Sequence, residues 1–217
     1  MPVKVGLRYI DKWKTDLEKE VLAYEAEPTE KGQIVFYGPS HFTRWREKFG
    51  NPVMREVLLG KSGKPCAVNR GFGSSNSEHQ LYYYPRMVRP LDPKVLVYIG
   101  DANSSAFGYT VEETWELAER VITYALTDFP DIRIYVCGSV PGKAMDEKTL
   151  ERKKAYNKLA REFAENTPNC FYISPLDYEP LLNDALFLDD KVHLNADGYK
   201  VFEEFFKKEL KDEFDKF

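Results

Sequence analysis

Five short apolar runs punctuate this chain, and longer stretches with helical spacing lie between them. Residues 33–37, 66–69, 94–100, 132–137 and 170–173 are rich in β-branched and aromatic side chains. Runs of that length and composition are typical of strands buried on both faces. Between them, apolar residues recur every three or four positions, as at Trp115, Ala118, Val121, Ile122 and Ala125, or at Tyr156, Leu159, Ala160 and Phe163. After the last run, Phe202, Phe205, Phe206 and Leu210 keep the same period. Strand and helix alternating five times predict an α/β fold, with a five-stranded parallel sheet between two helical layers. Sites in such sheets lie beyond the carboxyl ends of the strands.

The 217 residues suit one domain over 1–217. Residues 1–30 are expected to be a helical extension packed on it, with Ile10, Trp13, Leu17, Val21 and Tyr24 as its apolar stripe and Pro28 and Gly32 beyond its end. A helix from the end of the first strand to Phe49, capping boxes at Ser77/Gln80 and Thr110/Glu113, and a helix kinked or shortened at Pro85 are further local expectations. The last helix is expected to open near Asn195 or Asp197. A net charge of −4 argues against nucleic acid and anionic membranes as partners. The start lacks an apolar leader and no stretch reaches transmembrane length, so the cytoplasm is the expected compartment. Cys66, Cys137 and Cys170 show no metal-ligand spacing and read as buried, reduced thiols. The Gly60-Lys61-Ser62 order lacks the spacing of a nucleotide-binding loop.

Polar turns follow the strands. Ser40 follows the first, Ser74 the second and Asn103 the third, while Asp190 and His193 lie in the last loop before the final helix. All are expected on one rim of the sheet. Asp190 and His193, three apart, can meet across one tight turn; the carboxylate would then fix the imidazole tautomer and leave Nε2 to take a proton from a serine hydroxyl. Asp189 competes for that place. Backbone N–H groups at Ser40 and Ser74 with the Asn103 amide would face a developing oxyanion. The Ser40 turn alone also reads as a phosphate-binding or purely structural turn, and Asp190–His193 alone as a surface cap. A metal site from His41, His79 and a carboxylate has no recognisable spacing.

Together these segments resemble the SGNH, or GDSL-like, hydrolase superfamily, and in particular bacterial members related to platelet-activating-factor acetylhydrolase. The matching pieces are Gly38-Pro39-Ser40, Asn69 to Ser74, Gly100-Asp101-Ala102-Asn103 and Asp190-x-x-His193. The resemblance implies a flavodoxin-like three-layer fold and cofactor-free, metal-free ester hydrolysis. It assigns Ser40 as nucleophile, His193 as base, Asp190 as its orienter, and Ser74 and Asn103 as oxyanion donors; His41, Gly73 and Ala102 are expected beside the substrate. Three positions depart from the family pattern. Pro39 precedes the nucleophile, Ser74 replaces a glycine, and Ala102 stands where the family places its asparagine, so Asn103 serves only if that turn accommodates one extra residue. The expected activity is cleavage of small acyl esters, acetyl esters of carbohydrates among them, through an acyl-enzyme. The alternatives are a catalytically weak or inactive binding protein on the same fold, or a flavodoxin-like nucleotide or phosphate binder. The partner expected is a small-molecule ester, and a homodimer is left open.

Overall fold

The computed structural model describes residues 7–8, 10–11 and 14–217. Along the chain come α1 (Lys14–Ala26), β1 (Ile34–Gly38), α2 (Ser40–Thr43), α3 (Met54–Val57), β2 (Ala67–Gly71), α4 (Ser77–Met87) and β3 (Val95–Ile99). They are followed by α5 (Val111–Asp128), β4 (Arg133–Cys137), α6 (Glu147–Glu165), β5 (Cys170–Ile173), α7 (Ala196–Glu209) and α8 (Lys211–Phe214). The strands form one parallel sheet in the order β2-β1-β3-β4-β5. The winding direction reverses between β1 and β3, where doubly wound folds open a crevice for ligands.

Period-two alternation divides each central strand between two cores. Val35, Tyr37, Leu96, Tyr98, Ile134 and Val136 face a core shared with α1, α4, α5 and α6. Ile34, Phe36, Val95, Val97, Ile99, Tyr135 and Cys137 face the other, which Phe42, Met54, Phe202, Phe205, Phe206 and Phe214 complete from α2, α3, α7 and α8. The three cysteines are buried and free. Within α1, Leu17, Val21 and Tyr24 are buried as the stripe predicts, while Trp13 lies outside the described residues. Among the described residues no helix is long and apolar enough to cross a membrane.

Local expectations fail where tertiary contacts intervene. The helix after β1 stops at Thr43 instead of running to Phe49, and only a 3₁₀ turn at Glu47–Phe49 follows. The Arg44 carbonyl, which a continuing helix would use, accepts from Asn51 Nδ2 at 2.7 Å. Trp45 turns inward, fully buried against Tyr199, Phe202 and Phe206. The capping box of α4 is Asn76 with His79, one residue before the expected Ser77/Gln80 pair. Ser77 instead donates to the Gly100 carbonyl at 2.7 Å, and Gln80 accepts from Tyr98. Pro85 sits inside α4, and the helix ends two residues later, at Met87. The Thr110/Glu113 box and the Asn195 cap of α7 form as spaced. The sequence pattern gave no sign of α8; it is pinned by buried Glu213, which accepts from Arg133 Nε at 2.7 Å, Arg133 Nη2 at 2.6 Å and the Tyr135 hydroxyl at 3.1 Å.

Candidate active site

β1 ends in Gly38, Pro39 is extended, and Ser40 opens α2. The neighbouring strand supports this turn closely. A Cβ at Gly71 would stand 2.5 Å from Phe42 Cβ, so only glycine lets β2 approach α2. Asn69 joins the two, donating to the Phe42 carbonyl at 2.7 Å and accepting from Gly71 N–H at 2.8 Å. Tyr199 of α7 donates to the His41 carbonyl at 2.8 Å. The serine therefore stands on backbone held from two sides.

The loop before α7 delivers the imidazole. Leu188 and His193 are joined by a 2.8 Å backbone hydrogen bond, an isolated bridge links Phe187 and Leu194, and Lys191 takes a left-handed φ of 63°. This tight reversal lets Asp190 Oδ1 accept from the backbone N–H of Val192 at 3.0 Å and of His193 at 2.9 Å. Asp190 Oδ2 and His193 Nδ1 are 2.7 Å apart. His193 Nε2 lies 2.9 Å from Ser40 Oγ, across 153 positions of sequence. The tautomer that donates from Nδ1 to Asp190 leaves Nε2 to accept from the serine hydroxyl. Partial burial pushes the Asp190 carboxyl up, but the backbone N–H groups of His193 and Val192 and the adjacent imidazole outweigh it and hold it well below the usual carboxylate range.

The third turn winds tightly. Ala102 N–H donates to the Gly100 carbonyl at 3.0 Å and Ser104 N–H to the Ala102 carbonyl at 2.5 Å, with Asn103 at a left-handed φ of 52°. Asn103 thereby lines the cleft, and Ala102 is turned inward and buried. One N–H of the Asn103 amide donates to the Ser75 carbonyl at 2.8 Å, which fixes the side chain and leaves its second N–H uncommitted. Ser74 also adopts a left-handed φ, 61°. Among the described residues, the backbone N–H groups of Ser40 and Ser74 have no intramolecular acceptor.

Ser40, His193, Gly73, Ser74 and Asn103 thus line one cleft of about 390 Å³. Two expected substrate neighbours are not in it. His41 is buried outside the cleft, its ring centroid 6.1 Å from that of His193, because successive helical side chains point about 100° apart and the residue after Ser40 faces away from it. Burial above all, then nearby His193 and Lys153, pushes its pKa down to about 3. Ala102 is excluded by the tight turn just described. Asp189 makes no hydrogen bond to His193; Asp190 takes that place. The cleft walls that sequence reasoning missed are Thr43 and Arg44, Lys48 and Phe49, and Asp16, Leu17 and Glu20 of α1. Spacing of three and four from Ser40 would have found Thr43 and Arg44. Nothing local marks α1 as a wall. Glu20 also borders a second cleft of the same volume along the β2 edge, which contains neither Ser40 nor His193. Among the described residues no group of three His, Cys, Asp or Glu side chains is placed to hold a metal ion.

A serine, an imidazole and a carboxylate in hydrogen-bonded series, at the switch point of a doubly wound parallel sheet, define a serine hydrolase. The chain belongs to the GDSL-like lipase/acylhydrolase family, whose model matches residues 37–201. Solved structures share the fold. A Streptococcus pneumoniae protein provisionally described as a platelet activating factor is 17% identical, with a TM-score of 0.73 over 94% of this chain and 96% of that one. A GDSL-like lipase from Bacteroides thetaiotaomicron is 19% identical, with a TM-score of 0.66 over 94% of this chain and 98% of that one. A mutant acetyl-xylooligosaccharide esterase from Geobacillus is 14% identical, with a TM-score of 0.63 over 83% of this chain and 94% of that one. No curated protein matches the chain in sequence.

Proposed function

We propose that this enzyme hydrolyses small acyl esters, acetyl esters of carbohydrates or similar polar alcohols among them, through a covalent acyl-enzyme. Ser40 Oγ attacks the ester carbonyl as His193 Nε2 takes its proton. Asp190 holds the imidazole and balances the charge that forms on it. The Ser40 and Ser74 N–H groups and the free N–H of Asn103 receive the oxyanion. His193 then protonates the departing alcohol, and water repeats the sequence on the acyl-enzyme. The observation that carries this reading is the unbroken series Asp190–His193–Ser40 at 2.7 and 2.9 Å. The small-acyl choice is supported by the similarity to an acetyl-xylooligosaccharide esterase.

The test is hydrolysis of p-nitrophenyl acetate. Wild type is expected to turn it over and to be labelled on Ser40 by a fluorophosphonate. Ser40→Ala should lower kcat by about 10⁴-fold or more and abolish labelling. Equal rates for the two proteins would remove the proposal.

A further inference from the structure

The cleft carries charge that the ester chemistry does not use. Four ionisable side chains outside the Asp190–His193 pair line it: Asp16, Glu20, Arg44 and Lys48. Both acids already face bases. Glu20 accepts from Arg46 Nη1 at 2.8 Å, and Asp16 lies 3.8 Å from Lys19. Among the described residues, neither the Arg44 nor the Lys48 side chain makes an ion pair or hydrogen bond. Both are held at the mouth by one aromatic ring. Arg44 Cζ is 5.2 Å and Lys48 Nζ 5.1 Å from the centroid of Phe49, itself 39% exposed.

Arg44 also stands in fixed relation to the reacting serine. Its backbone N–H donates to the Ser40 carbonyl at 2.8 Å, one helical turn on, so both side chains rise from the same face of α2. A guanidinium and an ammonium therefore flank the cleft that holds Ser40, with no ion-pair partner among the described residues. A neutral alcohol would leave both unmatched.

From this arrangement we infer that the leaving alcohol carries an anionic group, a carboxylate or a phosphate, which Arg44 and Lys48 engage while the acyl carbonyl lies against Ser40. This rests on the esterase reading above and narrows its substrate class to acylated acidic alcohols. The planar guanidinium can take either anion bidentately, and the ammonium supplies a mobile point charge.

The experiment compares kcat/KM on matched acetyl esters: 3-acetoxybenzoate against its methyl ester, and acetylated glucuronate and acetylated glycerol phosphate against acetylated glucose. At low ionic strength the anionic member of each pair should be favoured about tenfold. The preference should shrink in 0.5 M salt, because exposed charges are screened. In Arg44→Gln/Lys48→Gln the ratio should fall to about one, and in Lys48→Glu it should invert; a merely structural loss would lower both members of a pair alike. The larger of the carboxylate and phosphate preferences names the anion. Equal rates within every pair in wild type, or a preference that survives the double substitution, overturn the inference and leave the esterase reading standing if p-nitrophenyl acetate is still cleaved in a Ser40-dependent way. Failure to cleave any ester overturns both.

Discussion

Asp190 is the most open member of its series, with 42% of its side chain exposed. Its orientation nevertheless comes from three hydrogen bonds, two of them to backbone N–H groups that no side-chain substitution removes. Asp190→Asn should keep the loop in place yet lower kcat about 10³- to 10⁴-fold, since a neutral amide neither selects the Nδ1–H tautomer nor balances an imidazolium. Steady-state kinetics with circular dichroism would separate this from unfolding. Asn103→Ala should cost about 10²- to 10³-fold in kcat with little change in KM, as expected when a donor acts on the transition state. An unchanged kcat would remove Asn103 from the oxyanion site. The spacing of Asp190 and His193 was legible, as were the polar turns. The path of the chain at 102 and 103 was not, because it depends on two consecutive tight turns and a left-handed asparagine.

At the scale of elements, the sheet and its long helices were readable because their periodicities are strong and their caps local. Short elements were not. α2 ends early because Asn51 captures the carbonyl that would continue it and Trp45 is drawn into the α7 aromatic cluster. Phe206 of α7 lies at the centre of that cluster, 5.2 Å from Phe36, 6.0 Å from Phe42 and 4.7 Å from Phe202 by ring centroids. Phe206→Ala should destabilise the protein by about 3–5 kcal/mol, the range for truncating a buried phenylalanine. Urea denaturation would measure it, and a loss below about 1 kcal/mol would contradict the packing described.

For the molecule as a whole, stability should fall on mild acidification. His41 is buried, and its pKa is depressed to about 3 from an unfolded value near 6.5. Above pH 6.5 the imidazole is neutral in both states and contributes nothing to the pH dependence. Between about 6.5 and 3 the unfolded chain binds a proton that the native protein refuses, so stability drops by about 1.4 kcal/mol per pH unit. From pH 7 to 5 this group alone should remove about 2 kcal/mol, and His41→Gln should flatten the slope by about one proton. Asp190 acts in a lower window. Its depressed carboxyl stabilises the native state above about pH 4, and that contribution is lost as pH falls toward its folded pKa. Wild-type and His41→Gln curves of the same slope would show that His41 is protonated in the native protein.

By itself the sequence determined the alternation of strands and helices, hence the parallel sheet, and the polar turns at the strand ends, because both follow from short-range periodicity and backbone chemistry. Only the tertiary structure decided that Ser40 and His193 meet across 153 positions, that His41 is buried, and that α1, Arg44 and Lys48 wall the cleft. Those outcomes depend on how layers pack and where the chain reverses, and no local pattern of residues encodes the distance between two remote loops.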